Sequence, residues 1–130
     1  MTDDLFHQQA IAIKTNAYAA YSNFKVGAVI EDEHGAHHLG VNVENAAYPL
    51  GSCAEAAAIA AMVQAGGRRI KRIAISGSDH TICTPCGGCR QRIAEFSDDD
   101  TRIHCLNDDG SLNEIFTPYS LLPHGFTLKA

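Results

Sequence analysis

One stretch of the chain decides the fold: residues 53–67 read CAEAAAIAAMVQAGG. Its first thirteen residues contain no Gly or Pro and are dominated by Ala, the residue with the highest helix propensity. Gly66 and Gly67 follow, and glycine is the commonest residue just past the end of a helix. The pattern predicts a helix over Cys53–Ala65, with Ser52 as its N-cap.

A second stretch, PCGGC at residues 85–89, predicts the start of another helix. Pro85 suits a first helical turn, and the helix is expected to run to about Phe96. Residues three apart on a helix share one face, so Cys86 and Cys89 can point at one metal ion. Cys53, at the start of the helix over Cys53–Ala65, would supply a third sulfur ligand.

The rest of the chain alternates between strand and helix patterns. This alternation predicts a central sheet layered with helices, and an opening hairpin makes that sheet mixed. The expected elements are a helix over Asp4–Ala20, a hairpin of Phe24–Ile30 and Leu39–Val43, strands over Ile70–Ser76, Arg102–Leu106 and Ser111–Phe116, and a brief helix over Pro118–Leu122.

Length and charge limit the class of protein. A chain of 130 residues with 45% hydrophobic residues fits one globular domain over residues 1–130. No run approaches the roughly 20 apolar residues of a membrane span, and the N-terminus is acidic, so a soluble cytoplasmic protein without membrane contacts is expected. The net charge of -5, with the acidic run Asp98–Asp100, disfavours binding to nucleic acid.

Three sulfur ligands and a nearby carboxylate predict a catalytic metal site. Three protein ligands leave one position of tetrahedral zinc open for water, and zinc makes such a water more acidic. Glu55 lies two residues after Cys53 and could reach that water without binding the metal. Zinc with three thiolates carries a charge of 2 - 3 = -1, which the positive N-terminal ends of two helices would partly offset.

A closed zinc site is the alternative reading of the cysteines. Five cysteines occur in the chain, and three of them fall between Cys83 and Cys89. Cys83 could complete a four-cysteine site in a non-catalytic interaction module. Glu55 would then have no use, and Thr84-Pro85 separates Cys83 from the helix that carries the other two sulfurs.

Six segments carry a resemblance to a known family. They are YSNFKVGA (21–28), GVNVEN (40–45), AYPLG (47–51), CAE (53–55), PCGGCRQ (85–91) and LLP (121–123). With these segments in this order across nearly the whole chain, the sequence resembles the cytidine deaminase family, specifically its small homotetrameric zinc-dependent type. The resemblance implies a three-layer α/β/α sandwich around a mixed five-stranded sheet.

The resemblance also implies an activity. Members of this type hydrolyse cytidine and 2′-deoxycytidine to the uridine nucleosides and ammonia in pyrimidine salvage, with one Zn²⁺ per subunit. A related aminopyrimidine nucleoside, such as blasticidin S or a modified cytidine, is the alternative substrate. The implied ligands are Cys53, Cys86 and Cys89, the implied proton carrier is Glu55, and the implied substrate contacts are Phe24, Asn42, Glu44, Ala54 and, reaching a neighbouring subunit's pocket, Phe126.

Two positions depart from the family pattern: Ala56, and Ser52, which replaces an apolar residue that is common there. Many relatives carry Arg directly after the Cys-Ala-Glu segment, where its charge can offset the thiolates, but this chain has Ala56. Either Arg90 substitutes for that charge, or the substrate differs from plain cytidine. The sequence leaves both readings open.

Overall fold

A computed structural model describes residues 3–77 and 83–128 of the chain. The described residues form one sheet, four helices and a short 3-10 turn at Tyr48–Leu50. The helices are α1 (Asp3–Lys14), α2 (Ala54–Gln64), α3 (Gly87–Glu95) and α4 (Pro118–Leu121), and the strands are β1 (Val26–Asp32), β2 (His37–Val41), β3 (Ile70–Gly77), β4 (Arg102–Leu106) and β5 (Leu112–Phe116).

The sheet is mixed and has five strands in the order β2-β1-β3-β4-β5. β1 pairs antiparallel with both β2 and β3, and β4 pairs antiparallel with β5. β3 and β4 are parallel, and α3 lies between them in the chain, because parallel neighbours need a crossover connection. The predicted mixed five-stranded sheet is confirmed.

Helices cover both faces of the sheet. Successive side chains of a strand point to opposite faces, so β1 packs Val29 against α1 and Ile30 against α2. The α1 face buries Phe6, Ala10, Val29, Ala74 and Leu106. The α2 face is larger and includes Ala58, Met62, Ile30, Ile73, Ile75, Ile93 and Ile103. The three-layer α/β/α arrangement expected from the sequence is therefore present.

The contact between α2 and β2 fixes where α2 begins. A Cβ atom at Gly40 would lie 2.3 Å from the carbonyl oxygen of Ala54 and 2.4 Å from the backbone nitrogen of Ala58. Both distances are far below van der Waals contact, so only glycine lets the helix backbone come this close to the strand. The contact holds the first turn of α2, with Glu55, over the end of β2.

We expect Gly40→Ala to destabilise the protein by about 1–3 kcal/mol, since the added methyl group overpacks the contact between α2 and β2. Urea unfolding measures the difference. Gly87→Ala is the matched control, because a Cβ atom there would meet no atom within 4 Å. Equal stability of the two variants would contradict this account of the helix position.

Three details of the prediction were wrong. α1 ends at Lys14 and not near Ala20, because the backbone of Tyr18 instead bonds Asn42 (3.0 Å) and Glu44 (2.8 Å) beyond the end of β2. The N-cap of α2 is Cys53, not Ser52, and no side-chain hydrogen bond caps this helix. The predicted first-turn residue Pro85 lies just before Cys86, the N-cap of α3.

The other elements are confirmed within two residues of their predicted ends. The longest of the described helices, α1, has 12 residues, and none of these helices could span a membrane.

Candidate active site

Three cysteine sulfur atoms meet where two helices begin. Cys53 is the N-cap of α2, Cys86 is the N-cap of α3, and Cys89 lies in the first turn of α3. The three Sγ atoms lie within 4.8 Å of one another. Tetrahedral zinc with Zn–S bonds of ~2.3 Å holds its sulfur ligands about 3.8 Å apart, so small side-chain movements would bring these three sulfurs onto one zinc ion.

Cys83 and Glu55 lie outside this sulfur group. Among residues 3–77 and 83–128, the potential ligand cluster consists of the three cysteines and includes neither of the other two side chains. Cys83 contacts β3 instead, since a Cβ atom at Gly77 would lie 2.8 Å from its sulfur. The arrangement fits a metal site with a vacant fourth position better than a closed four-cysteine site.

The three thiols differ in their surroundings. Burial raises the pKa of the Cys53 and Cys89 thiols, and Cys89 has no exposed surface. The backbone N–H of Cys89 donates to the Cys86 sulfur and lowers the pKa of Cys86. A metal must displace thiol protons to bind here, so metal affinity falls as the pH falls.

Glu55 is a buried acid beside the sulfur group. Only 5% of its surface is exposed, and burial raises the pKa of its carboxyl group. Its own backbone N–H and the positive charge of Arg92 act in the opposite direction. A carboxyl group with a raised pKa accepts and returns protons more readily near neutral pH than a surface glutamate does.

One cavity of about 310 Å³ opens beside the sulfur atoms and Glu55. Four of the residues that the resemblance assigns to the substrate line it. Val26, Ser52, Cys83 and Thr84 also line it, and the sequence reasoning did not assign them to a substrate site. The substrate-assigned residues in the cavity are Phe24, Asn42, Glu44 and Ala54.

Two hydrogen bonds to the backbone near the start of β1 fix the orientation of the Asn42 side chain. Its Oδ1 accepts from the backbone N–H of Val26, and its Nδ2 donates to the carbonyl oxygen of Phe24, both at 2.8 Å. An amide has two N–H groups and two oxygen lone pairs. One N–H group and one oxygen lone pair of the Asn42 amide therefore remain for a ligand in the cavity.

Glu44 is held as an ionised acceptor. Its Oε1 accepts from the backbone N–H groups of Tyr21 (2.9 Å) and Ser22 (3.0 Å), and its Oε2 accepts from the Ser22 hydroxyl group. The bond from the Ser22 hydroxyl is the main cause that lowers the pKa of Glu44. A fixed carboxylate at the cavity wall can accept hydrogen bonds from ligand hydroxyl groups.

Phe126 does not line the cavity of its own chain. Its backbone pairs with the side-chain amide of Gln91, at 2.9 and 3.1 Å, and 67% of the residue is exposed. Its assignment to a neighbouring subunit's pocket stays a prediction.

Arg92 is the charged residue that the sequence reasoning missed. Its Nη1 donates to the Cys89 sulfur at 3.5 Å. Arg90, which the sequence offered as a charge to offset the thiolates, instead donates to the carbonyl oxygens of Pro85 (2.8 Å) and Leu121 (3.0 Å). The sequence contained an indication of this contact, because Arg92 lies three residues after Cys89 and therefore shares its face of the helix.

Comparison with known proteins gives a consistent result. The family profile described as "Cytidine and deoxycytidylate deaminase zinc-binding region" matches residues 1–105. A cytidine deaminase of Halalkalibacterium halodurans is 37% identical over 129 residues, covering 99% of this chain and 97% of that protein. A cytidine deaminase of Mycoplasma genitalium is 38% identical, covering 92% of this chain and 91% of that protein.

A solved structure agrees with these sequences. The crystal structure of cytidine deaminase from Burkholderia pseudomallei superposes with a TM-score of 0.90 at 38% identity, covering 97% of this chain and 100% of that one. The cluster of Cys53, Cys86 and Cys89 could hold one metal ion, in agreement with this zinc-binding profile. The chain belongs to the cytidine and deoxycytidylate deaminase family.

Proposed function

We propose that this protein catalyses the zinc-dependent hydrolytic deamination of cytidine and 2′-deoxycytidine to uridine and 2′-deoxyuridine, releasing ammonia. One observation carries the proposal: a buried carboxyl group, Glu55, lies beside a three-sulfur cluster, and both open onto one cavity. The names of the relatives support the same reaction.

Cys53, Cys86 and Cys89 would hold one zinc ion, which when bound supplies a polarised water as the nucleophile. The Glu55 carboxylate accepts the proton of that water and delivers it to the pyrimidine ring. The water oxygen forms a bond to C4 of the pyrimidine, and Glu55 transfers the second proton of that oxygen to the C4 amino group. The C–N bond then breaks, ammonia leaves, and the C4 oxygen becomes the carbonyl oxygen of the uracil product. Its burial favours this role, because the neutral acid is not strongly disfavoured there.

The cavity wall would bind the nucleoside. The Asn42 amide and the Glu44 carboxylate hydrogen-bond the sugar hydroxyls, and their orientation is preset by bonds to the backbone near β1. Phe24 and Ala54 line the region that takes the base. Because these polar groups are already fixed, little ordering is needed when the substrate binds.

Residues 1–130 form one catalytic domain in this proposal, and four copies assemble. Exposed apolar side chains support an assembly, since Tyr48 is 79% exposed and Leu50 is 72% exposed. The exposed Phe126 ring would then pack on the base in a neighbour's cavity. Light scattering of the purified protein tests the tetramer.

A substrate panel on zinc-loaded protein tests the activity. We expect cytidine and 2′-deoxycytidine to lose ultraviolet absorbance on incubation, with release of ammonia, and zinc content is measured on the same sample. Blasticidin S and modified cytidines are included in the panel. Turnover of one of these compounds without turnover of cytidine would overturn the proposed substrate and favour the alternative that Ala56 raises.

A further inference from the structure

A guanidinium group contacts the most buried sulfur of the proposed zinc site. Arg92 follows Cys89 by one helical turn of α3, and its Nη1 donates to the Cys89 Sγ at 3.5 Å. Cys89 has no exposed surface, whereas Arg92 is exposed. The long side chain of Arg92 therefore reaches back from the solvent side of the helix to a sulfur that the solvent does not reach.

Charge counting shows what this contact favours. Three protonated thiols without metal are neutral, whereas one zinc ion with three thiolates carries 2 - 3 = -1. A guanidinium group stays positively charged in proteins, so it favours the metal-bound state over the protonated, metal-free state. The N–H donor also fixes one lone pair of the sulfur and thereby the direction in which Cys89 presents its other lone pairs.

Neighbouring positions do not replace this cation. Position 56, directly after Glu55, carries Ala, so α2 brings no positive charge to the sulfur group at that point. Arg90 lies next to Cys89 in sequence, but its guanidinium donates to two backbone carbonyl oxygens. Lys14 donates to Ser76 and to the carbonyl oxygens of two further residues.

We propose that Arg92 is a positioning residue of the metal centre, which orients the Cys89 thiolate and offsets the negative charge that three sulfur ligands place around zinc. The inference rests on the proposed zinc site of Cys53, Cys86 and Cys89. It concerns metal binding, so it is measured without reference to deamination.

Zinc affinity is the first test. We expect Arg92→Gln to bind zinc about 10–100-fold more weakly than the wild type in competition with a chromophoric chelator at neutral pH, the usual loss for a residue that supports a metal ligand. Arg92→Lys keeps the positive charge but lacks the planar guanidinium group. Its zinc affinity should lie between those of Arg92→Gln and the wild type. Lys71→Gln, which removes one positive charge from an exposed position of β3, is the control and should bind as the wild type does.

The cobalt spectrum is the second test. With Co²⁺ in place of zinc, the thiolate-to-metal charge-transfer bands report on the electrons of the sulfur ligands. Loss of the hydrogen bond and of the nearby positive charge raises the energy of the sulfur lone pairs. We expect these bands of Arg92→Gln to move to longer wavelength, with Arg92→Lys between it and the wild type.

Unfolding of the metal-free proteins separates a structural role from a metal-directed one. Because Arg92 is exposed, metal-free Arg92→Gln should unfold at the same urea concentration as the metal-free wild type. Should that variant fail to fold, Arg92→Ala, which keeps helix propensity, takes its place in all three measurements.

The outcomes are distinct. Weaker zinc binding and shifted cobalt bands with unchanged metal-free stability support the inference. Wild-type affinity and an unshifted spectrum in Arg92→Gln overturn it, as does an equal loss of stability with and without metal, and the proposed function then stands. A wild-type protein that takes up no zinc overturns the proposed function and this inference together.

Discussion

Glu55→Gln should keep its zinc and its fold but turn over cytidine about 10²–10⁴-fold more slowly than the wild type. The amide has nearly the shape of the carboxyl group, so the packing at the start of α2 is kept. It cannot accept a proton from water, however, and the proposed reaction needs that transfer at its first step. Steady-state rates and zinc content, measured on one preparation, check the expectation.

We also expect Glu55→Gln to keep or raise the stability of the metal-free protein. Burial raises the pKa of Glu55 in the folded protein, so the favourable contribution of its protonated form is lost as the pH rises through that raised value. Metal-free Glu55→Gln should therefore be at least as stable as the metal-free wild type at pH 7, because the amide never ionises. Lower activity with equal or higher stability is typical of a residue kept for function.

Glu95→Gln is the matched control for Glu55→Gln, since it makes the same chemical change at an exposed position near the end of α3. The control should have the wild-type rate. A near-normal rate in Glu55→Gln would remove this residue from the mechanism.

Cys89→Ser should lose at least about 100-fold in zinc affinity, together with its activity, because a serine hydroxyl keeps its proton at neutral pH and is a poor zinc ligand. The remaining Cys53 and Cys86 would leave two sulfur ligands. Chelator competition measures the affinity, and the cytidine assay measures the rate.

Cys83→Ser is the natural comparison, because Cys83 lines the same cavity but lies outside the sulfur cluster. It should retain zinc and most of the turnover. Loss of zinc from Cys83→Ser would instead favour a closed site with four cysteine ligands, and with it the non-catalytic zinc module.

The sequence predicted those parts of the fold that local patterns control. The alanine-rich run ending at Gly66-Gly67 gave α2 within one residue at each end, and Arg102–Leu106 was predicted with its observed bounds. The cysteine spacing predicted the sulfur cluster, because two of its members lie one turn apart on a single helix. Local spacing is enough where one element carries the pattern.

The errors have non-local causes. The apolar spacing near Ala17 and Ala20 suits a helix, but backbone bonds between Tyr18 and residues beyond β2 end α1 earlier. Helix propensity is weak compared with such tertiary contacts. Ser52 likewise forms a two-way backbone bridge with Val43, which leaves the N-cap position to Cys53.

Composition alone does not show whether Arg90 or Arg92 contacts the Cys89 sulfur. Both follow Cys89 closely, and the direction of each side chain depends on what packs against α3. Arg90 faces carbonyl acceptors before α3 and in α4, while Arg92 lies over the sulfur. The helical period alone favoured Arg92, since three-residue spacing shares a face and one-residue spacing does not.

The three sulfur atoms of the proposed zinc site lie at the starts of two helices that are far apart in the chain but begin side by side. A zinc ion bound there acts as a cross-link between α2 and α3, and any ligand that binds only the folded chain raises its resistance to unfolding. In a cell short of zinc, newly made copies would therefore be inactive and would also open more often to proteases. The supply of one trace element would set both the specific activity and the lifetime of the protein.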